Sequence, residues 1–346
     1  MHKTNAEIAT AQVAIIGAGT AGCLIANLLN KDGVKCLLLE KSRGVGGRCS
    51  RRRIHTDDST NYAIDLGGSD FFPAQATNRL KKMLNYWNSE GYLSKWVRRV
   101  SRFDKRSDAS ETVTSLCGTP SMNTWHSMVT GNINLLTQSR VANLKRIDDY
   151  WHLFDDNNQA IVVAKKLVIT APPEQTRDLL NTLGALTSVH LPDTLPHESL
   201  PQYVCAISFD TPLHMDADVY QIGHALLHSA VLEDSKPGRA PPTPMQQVWV
   251  LHSTYEWAQQ QNHVDSHTAA VELAQAFCQH FSIDIKPTIL TSHYWRMAKY
   301  NPTPNDKDSY FWDEQLNMGC CGDWLGGGGT VGALNSAVAL HEVMIR

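Results

Sequence analysis

The hydrophobic pattern changes period twice within the first 40 residues. Gln12–Ile16 is a short Val/Ile-rich run that predicts a strand, GAGTAG at Gly17–Gly22 predicts a tight turn, and the Ala/Leu-rich stretch to Leu29 keeps a helical repeat. A second apolar run, Val34–Leu39, predicts another strand and ends in Glu40, 18 residues after Gly22. Further on, Thr77–Glu90 and His267–Phe281 carry apolar residues at helical spacing. Tyr92–Phe103, Val113–Cys117, Tyr203–Phe209, His224–Leu232 and Gln246–His252 read as strands, and together they suggest a sheet with helices on one side. Lys236–Pro244, KPGRAPPTP, reads as an exposed proline-rich loop between two strands. Near the carboxyl end, MGCCGDWLGGGGTV at Met318–Val331 predicts a strand end at Gly322-Asp323 and a glycine loop feeding an Ala/Leu/Val-rich helix.

The opening unit has the order a dinucleotide needs. Gly17 permits the turn, Gly19 lets the backbone approach a pyrophosphate, and Gly22 lets the helix pack close to the strand. The helix N-terminus then offers N–H groups and a partial positive charge to phosphate, with Thr20 and Ala21 in its first turn. Glu40 can accept both hydroxyls of an adenosine ribose and would repel a 2′-phosphate. This unit does not separate NAD from FAD. The next segment, KSRGVGGRCSRRR from Lys41, adds Gly44, Gly46 and Gly47 ahead of Arg48, whose guanidinium is a bidentate donor suited to phosphate; YAIDLGG follows, with Gly67 and Gly68. A solvated basic turn is the bland alternative. At the far end Asp323 can accept a ribityl hydroxyl, and the helix starting near Thr330, just after Gly329, can point its positive end at a flavin N1/C2=O edge. Its bland alternative is a flexible linker to a packing helix.

Composition narrows the choices. With 346 residues, 42% hydrophobic and 19% charged, the chain is globular and long enough for about two domains. A net charge of -3 provides no general field for nucleic acid or anionic membranes, and Arg48–Arg53 lacks interleaved aromatics. Residues 11–29 are too interrupted by glycines and polar residues to span a bilayer. The eight cysteines show no two-residue spacing and the 15 histidines no HxH or HExxH pattern, so no metal site is expected. Cys320-Cys321 could anchor a flavin or form a redox pair, although buried packing suits adjacent cysteines better. MHKTNAEIAT carries no signal-type core, which points to a reducing cytoplasm.

GAGTAG, EKSRGVGGR, IDLGG, the expected strand TQSRVANL, VITAPPEQ and CGDWLGGGGTVGA together resemble the FAD-dependent amine-oxidase superfamily, and within it the small renalase-like proteins. The resemblance runs from about Val13 to Leu340 and is weak over 183–290. It implies an α/β fold with a Rossmann-type, p-hydroxybenzoate hydroxylase-like FAD domain and a second α+β substrate domain. It also implies noncovalent FAD and oxidation of a dihydronicotinamide-type substrate with oxygen as acceptor. Carried over, Gly17, Gly19 and Gly22 line the pyrophosphate, Glu40 holds the ribose, Arg48 reaches phosphate, Val141 meets adenine through its backbone, and Gly322, Asp323 and Val331 hold the ribityl chain and flavin. Trp295 and Trp324 would stand near the flavin, with Trp295 and Phe71 as substrate contacts. Where relatives tend to place an aromatic after IDLGG, this chain has Ser69-Asp70-Phe71-Phe72, so an acid enters the expected flavin neighbourhood.

On this reading the FAD-binding domain comprises 1–75, 125–182 and 292–346, and the substrate domain 76–124 and 183–291, with a pocket expected where they meet. Three functions follow: a flavin oxidase of dihydronicotinamides, a flavin amine oxidase acting on a free amine, or a nucleotide-binding protein without redox turnover.

Overall fold

Continuous burial marks the centre of the first sheet: Val13–Ile16 and Cys36–Leu39 are buried at every position, as strands covered on both faces must be. The computed structural model describes residues 8–55, 61–104, 107–184, 199–241, 245–300 and 309–346. The amino-terminal residues 1–7 and the end of the proline-rich loop, 242–244, lie outside them, as does Asn301-Pro302. The chain forms two units, residues 1–47, 126–198 and 301–346 in one and 48–125 and 199–300 in the other.

In the first unit, β1 (Ala9–Ile16) leads through α1 (Thr20–Lys31) to β2 (Cys36–Leu39), the order expected from the pattern. The hairpin β3 (Arg51–His55) and β4 (Asn61–Asp65), helix α2 (Asn78–Ser89) and strands β5 (Leu93–Asp104) and β6 (Ser107–Gly118) belong to the other unit. Helix α3 (Met122–Thr130) returns the chain to the first sheet at β7 (Asn134–Leu136), followed by β8 (Asn143–Ile147), β9 (Tyr150–Phe154), β10 (Ala160–Ile169) and α4 (Pro173–Asn181). The strand order is β7-β2-β1-β10, with all neighbours parallel. The chain therefore steps outward from β1 on one side and restarts on the other, which opens a crevice at the carboxyl ends of β1 and β10. β8 and β9 form an antiparallel extension on the first half of β10.

The second unit is mainly antiparallel. β11 (Ser199–Phe209), β12 (Val219–Ile222), β13 (Leu227–Leu232), β14 (Gln247–Ser253) and β15 (Thr288–Tyr300) join β5 and β6 in the order β15-β11-β14-β13-β12-β5-β6. Helices α5 (Tyr255–Gln260) and α6 (Ser266–His280) follow β14. Alternate residues Tyr203, Cys205, Ile207 and Phe209 of β11 pack with Trp249 and Leu251 of β14 and with Leu273 and Phe277 of α6, so the helix covers one face of the sheet. The chain finishes in the first unit with β16 (Phe311–Asp313), antiparallel to β17 (Met318–Cys320), which itself runs parallel to β10, and then α7 (Gly329–Met344), packed against α1.

The mixed α/β class with a Rossmann-type sheet holds, and three local expectations differ. TQSRVANL is loop as far as Ala142, with Gln138 at a φ of 52°, and strand begins only at Asn143. The hairpin at 51–65 groups with the second unit, where Tyr62 and Asp65 bond to Asp234 and Glu233, and the strand reaching Tyr300 pairs there with β11. The loop after Lys236 is not simply exposed: Lys236 and Arg239 are 2% and 5% accessible. Both close on carboxylates from elsewhere in the same unit. Arg239 Nη2 lies 2.5 Å from Asp65 and Lys236 Nζ 2.5 Å from Glu233, itself fully buried.

Candidate dinucleotide-binding site

The glycine turn is held by contacts that leave no room for side chains. A Cβ on Gly22 would fall 1.8 Å from the Gly17 carbonyl oxygen, and Gly17, at a φ of 102°, would bring one to 2.8 Å from Thr170 Oγ1. Only glycine lets α1 start this close to β1. Thr170, at the end of β10, donates its hydroxyl to the carbonyls of Ile16 and Gly17, a brace that the sequence reading missed. Gly19 caps α1 without a side-chain hydrogen bond, and nothing stands within 4 Å of where its Cβ would be. The helix N-terminus is thus open at Gly19.

Glu40 is 7% accessible and fixed at both oxygens: Oε2 accepts from Ala18 N–H at 2.8 Å and Oε1 from Ser42 N–H at 2.8 Å. Each carboxylate oxygen keeps capacity for another donor. The second glycine segment folds onto the first. Gly46 N–H donates to the Ala18 carbonyl at 2.8 Å, and a Cβ on Gly47 would lie 3.3 Å from Gly19 Cα. Lys41 Nζ donates to Gln175 Oε1. The loop carrying Val141 is tied to the same place through Ser139 N–H on the Glu40 carbonyl and Gln138 N–H on Ser42. Replacing Glu40 by alanine should weaken adenine-dinucleotide binding about ten- to a hundredfold, the value of one or two hydrogen bonds to a charged group. Titration with FAD checks this, and an unchanged affinity removes Glu40 from the site.

The carboxyl-terminal motif reaches the same edge of the sheet. Cys321 N–H donates to Ile169 at the end of β10, and Trp324 Nε1 donates to the Ala171 carbonyl at 3.1 Å. With strands spaced at about 4.8 Å, β17, which leads into Gly322-Asp323, runs roughly 10 Å from β1, across β10. Gly322 N–H is held by Ser336 Oγ, and Gly328 N–H by the Asp323 carbonyl. Gly327, Gly328 and Gly329 all have positive φ, and α7 starts with Gly328 as its cap, again without a side-chain hydrogen bond; Thr330 and Val331 complete its first turn. In the other unit α2, α5 and α6 are capped by Thr77, Thr254 and Asp265. Both α1 and α7 start at the sheet's carboxyl edge with a glycine cap and no capping side chain, which suits an anionic or polar ligand there.

Thus Gly17, Gly19, Thr20, Ala21, Gly22, Glu40, Lys41, Gly46, Gly47, Val141, Gly322, Asp323, Gly329, Thr330 and Val331 all lie in one unit. Arg48, Gly67, Gly68, Phe71 and Trp295 lie in the other. There a Cβ on Gly67 would sit 2.0 Å from the Arg48 carbonyl and 3.5 Å from the Trp295 ring, and Trp295 donates to Leu66. Arg48 itself donates to the Ala298 carbonyl and lies 5.2 Å from the Tyr300 ring centroid. Phe71 is wholly buried, 5.4 Å from Trp125, so it packs the interior and does not line a substrate pocket. Asp70 pairs with Arg98 at 2.5 Å and accepts from Ser115, which compensates the charge that the sequence placed near a flavin; burial still pushes its carboxyl up. Cys320 and Cys321 are fully buried, with desolvation raising both thiols, Cys320 to about 12, so neither presents a thiolate.

Among the described residues no cluster of three or more His, Cys, Asp or Glu could hold a metal, and no helix is long and apolar enough to cross a membrane. Residues 15–87 match the model of an NAD(P)-binding Rossmann-like domain. Solved structures similar over the chain include a provisionally named protoporphyrinogen oxidase from Exiguobacterium sp. 255-15, at TM-score 0.73 and 10% identity, covering 97% of this chain and 99% of that one. Wild-type putrescine oxidase bound to putrescine gives TM-score 0.65 at 10% identity, covering 97% and 99%, and a single-site variant of it gives 0.68 at 11%, covering 98% and 99%. At such identities the likeness is one of fold, and with the Rossmann-like match over 15–87 it makes this chain an α/β protein that carries a Rossmann-like domain and is built like those oxidases.

Proposed function

We propose that the chain is a flavin-dependent oxidoreductase that holds FAD noncovalently, and that its substrate is a dihydronicotinamide-type ring as in renalase-like proteins. The observation that carries the reading is the pair of glycine-started helices at one carboxyl edge of the parallel sheet, with Glu40 beside the first and Asp323 beside the second. The open space at Gly19 and the lone-pair capacity of Glu40 fit a pyrophosphate and a ribose. Gly17, Gly19 and Gly22 would hold the pyrophosphate, Glu40 the adenosine ribose, Val141 the adenine, and Gly322, Asp323, Thr330 and Val331 the ribityl chain and ring. Bound FAD would supply a two-electron acceptor for a hydride.

A dihydropyridine becomes aromatic on losing hydride, so the protein needs only to stack the donor at near-attack distance, roughly 3–3.5 Å, and exclude water; no acid–base pair is demanded. With oxygen as terminal acceptor, donor, oxygen and one proton become pyridinium and hydrogen peroxide. The purified protein is expected to be yellow, and its visible band to bleach on anaerobic mixing with dihydronicotinamide isomers. A yellow protein whose band survives all of them refutes the substrate. The likeness to putrescine oxidase supports a second reading, oxidation of a free amine, for which peroxide release with a panel of primary and secondary amines is diagnostic. Colourless protein that takes up no FAD would leave only a nucleotide-binding role without redox turnover.

A further inference from the structure

The first turn of α1 is approached by a side chain that no motif announced. His126 on α3 is wholly buried, and its Nε2 lies 2.9 Å from Thr20 Oγ1. Thr20 is the first residue of α1, directly after the Gly19 cap above which the structure leaves open space. One further contact ties α3 to α1, and a second closes the turn of α3 that carries the imidazole. Asn27 Nδ2 of α1 donates to the Val129 carbonyl at 2.7 Å, and Thr130 Oγ1 closes back on the His126 carbonyl at 2.6 Å. The imidazole is therefore held by packing and by helix-to-helix hydrogen bonding against the turn that would receive a phosphate.

We propose that His126 is a positioning residue for a pyrophosphate-bearing ligand, acting through the Thr20 hydroxyl. A threonine hydroxyl has one proton and two acceptor sites. If the imidazole accepted that proton, Thr20 would turn oxygen lone pairs toward an anion at the helix start. With Nε2 as donor, as in the Nε2–H tautomer or the imidazolium, the Thr20 oxygen accepts from it and the hydroxyl is left in the donor role. His126 thus converts a neutral hydroxyl into a directed donor, adding one charge-assisted hydrogen bond to the backbone N–H groups of the turn. The inference rests on the pyrophosphate reading of this edge, yet it concerns a contact of the chain's own residues.

The test is titration of the full chain, freed of bound nucleotide, with FAD, ADP and adenosine. His126→Ala and Thr20→Val should each weaken ADP and FAD about tenfold, as loss of one hydrogen bond to a charged group does, and leave adenosine unchanged. The double variant should be no weaker than either single one, because both remove the same contact. His126→Gln, whose amide nitrogen can still donate, should recover most of the affinity, and it serves as the folded comparison if the alanine variant is unstable. Phosphorus NMR of bound FAD should show a pyrophosphate resonance displaced in Thr20→Val and restored toward the parent position in His126→Gln. Equal losses for adenosine and ADP, or ADP affinity unchanged in folded His126→Ala, overturn the proposal while the dinucleotide site stands. Wild-type protein that binds neither ADP nor FAD overturns the underlying reading as well.

Discussion

Exchanging Asp65 for asparagine is expected to cost about 3–5 kcal/mol of stability, the penalty for removing one member of a buried ion cluster. Asp65 is 2% accessible, lies 2.5 Å from Arg239 and 3.8 Å from Lys236, and accepts the Met122 N–H at 3.0 Å. With Glu233, whose carboxyl burial pushes up, the cluster has two acids and two bases and is neutral; asparagine would leave one positive charge uncompensated in the interior. The companion variant Arg239→Met should be destabilising for the opposite sign of charge. The double variant, again neutral, should be more stable than either single one. Chemical denaturation of the three proteins decides it. Additive losses, or a loss in Asp65→Asn below about 1 kcal/mol, would show the cluster to be screened by solvent.

Gly22→Ala should be comparably severe for a different reason. Its Cβ would meet the Gly17 carbonyl oxygen at 1.8 Å and Thr170 Oγ1 at 2.9 Å, and the first of these is backbone that cannot rotate away. Helix α1 would have to leave β1, opening the glycine turn proposed to meet phosphate. We expect FAD binding lost by a hundredfold or more, an order set by moving a preorganised anion site out of register, together with a lower melting temperature. Gly44→Ala is the control: it lies in the neighbouring glycine segment with nothing within 4 Å of the added carbon, so binding and melting should stay close to the parent. A Gly22→Ala protein that binds FAD normally would mean that the turn does not face the ligand.

The first 40 residues were readable because their structure is set locally. The strand to Ile16, the turn, the helix from Thr20 and the strand to Leu39 follow apolar periodicity and glycine spacing over a few residues, even though β1 and β2 pair with strands far along the chain, and Glu40 falls at a strand end that periodicity alone locates. The carboxyl-terminal helix, starting at Gly329, was legible for the same reason. TQSRVANL misled because Val141 and its neighbours have strand-like composition, whereas the segment is spent on hydrogen bonds to Glu40 and Ser42. Phe71 stands just after a glycine motif, and only its three-dimensional neighbours, Trp125 among them, bury it.

Local periodicity and glycine spacing by themselves determined that this chain builds a Rossmann-type unit with glycine-started helices at both ends of the sequence, since turn geometry and amphipathic repeat act over a few residues. Tertiary structure alone decided which charges lie inside and which side chain stands behind the first turn of α1. Arg239 meets Asp65 across 174 positions and His126 meets Thr20 across 106, and no local preference in a chain encodes a partner that far away.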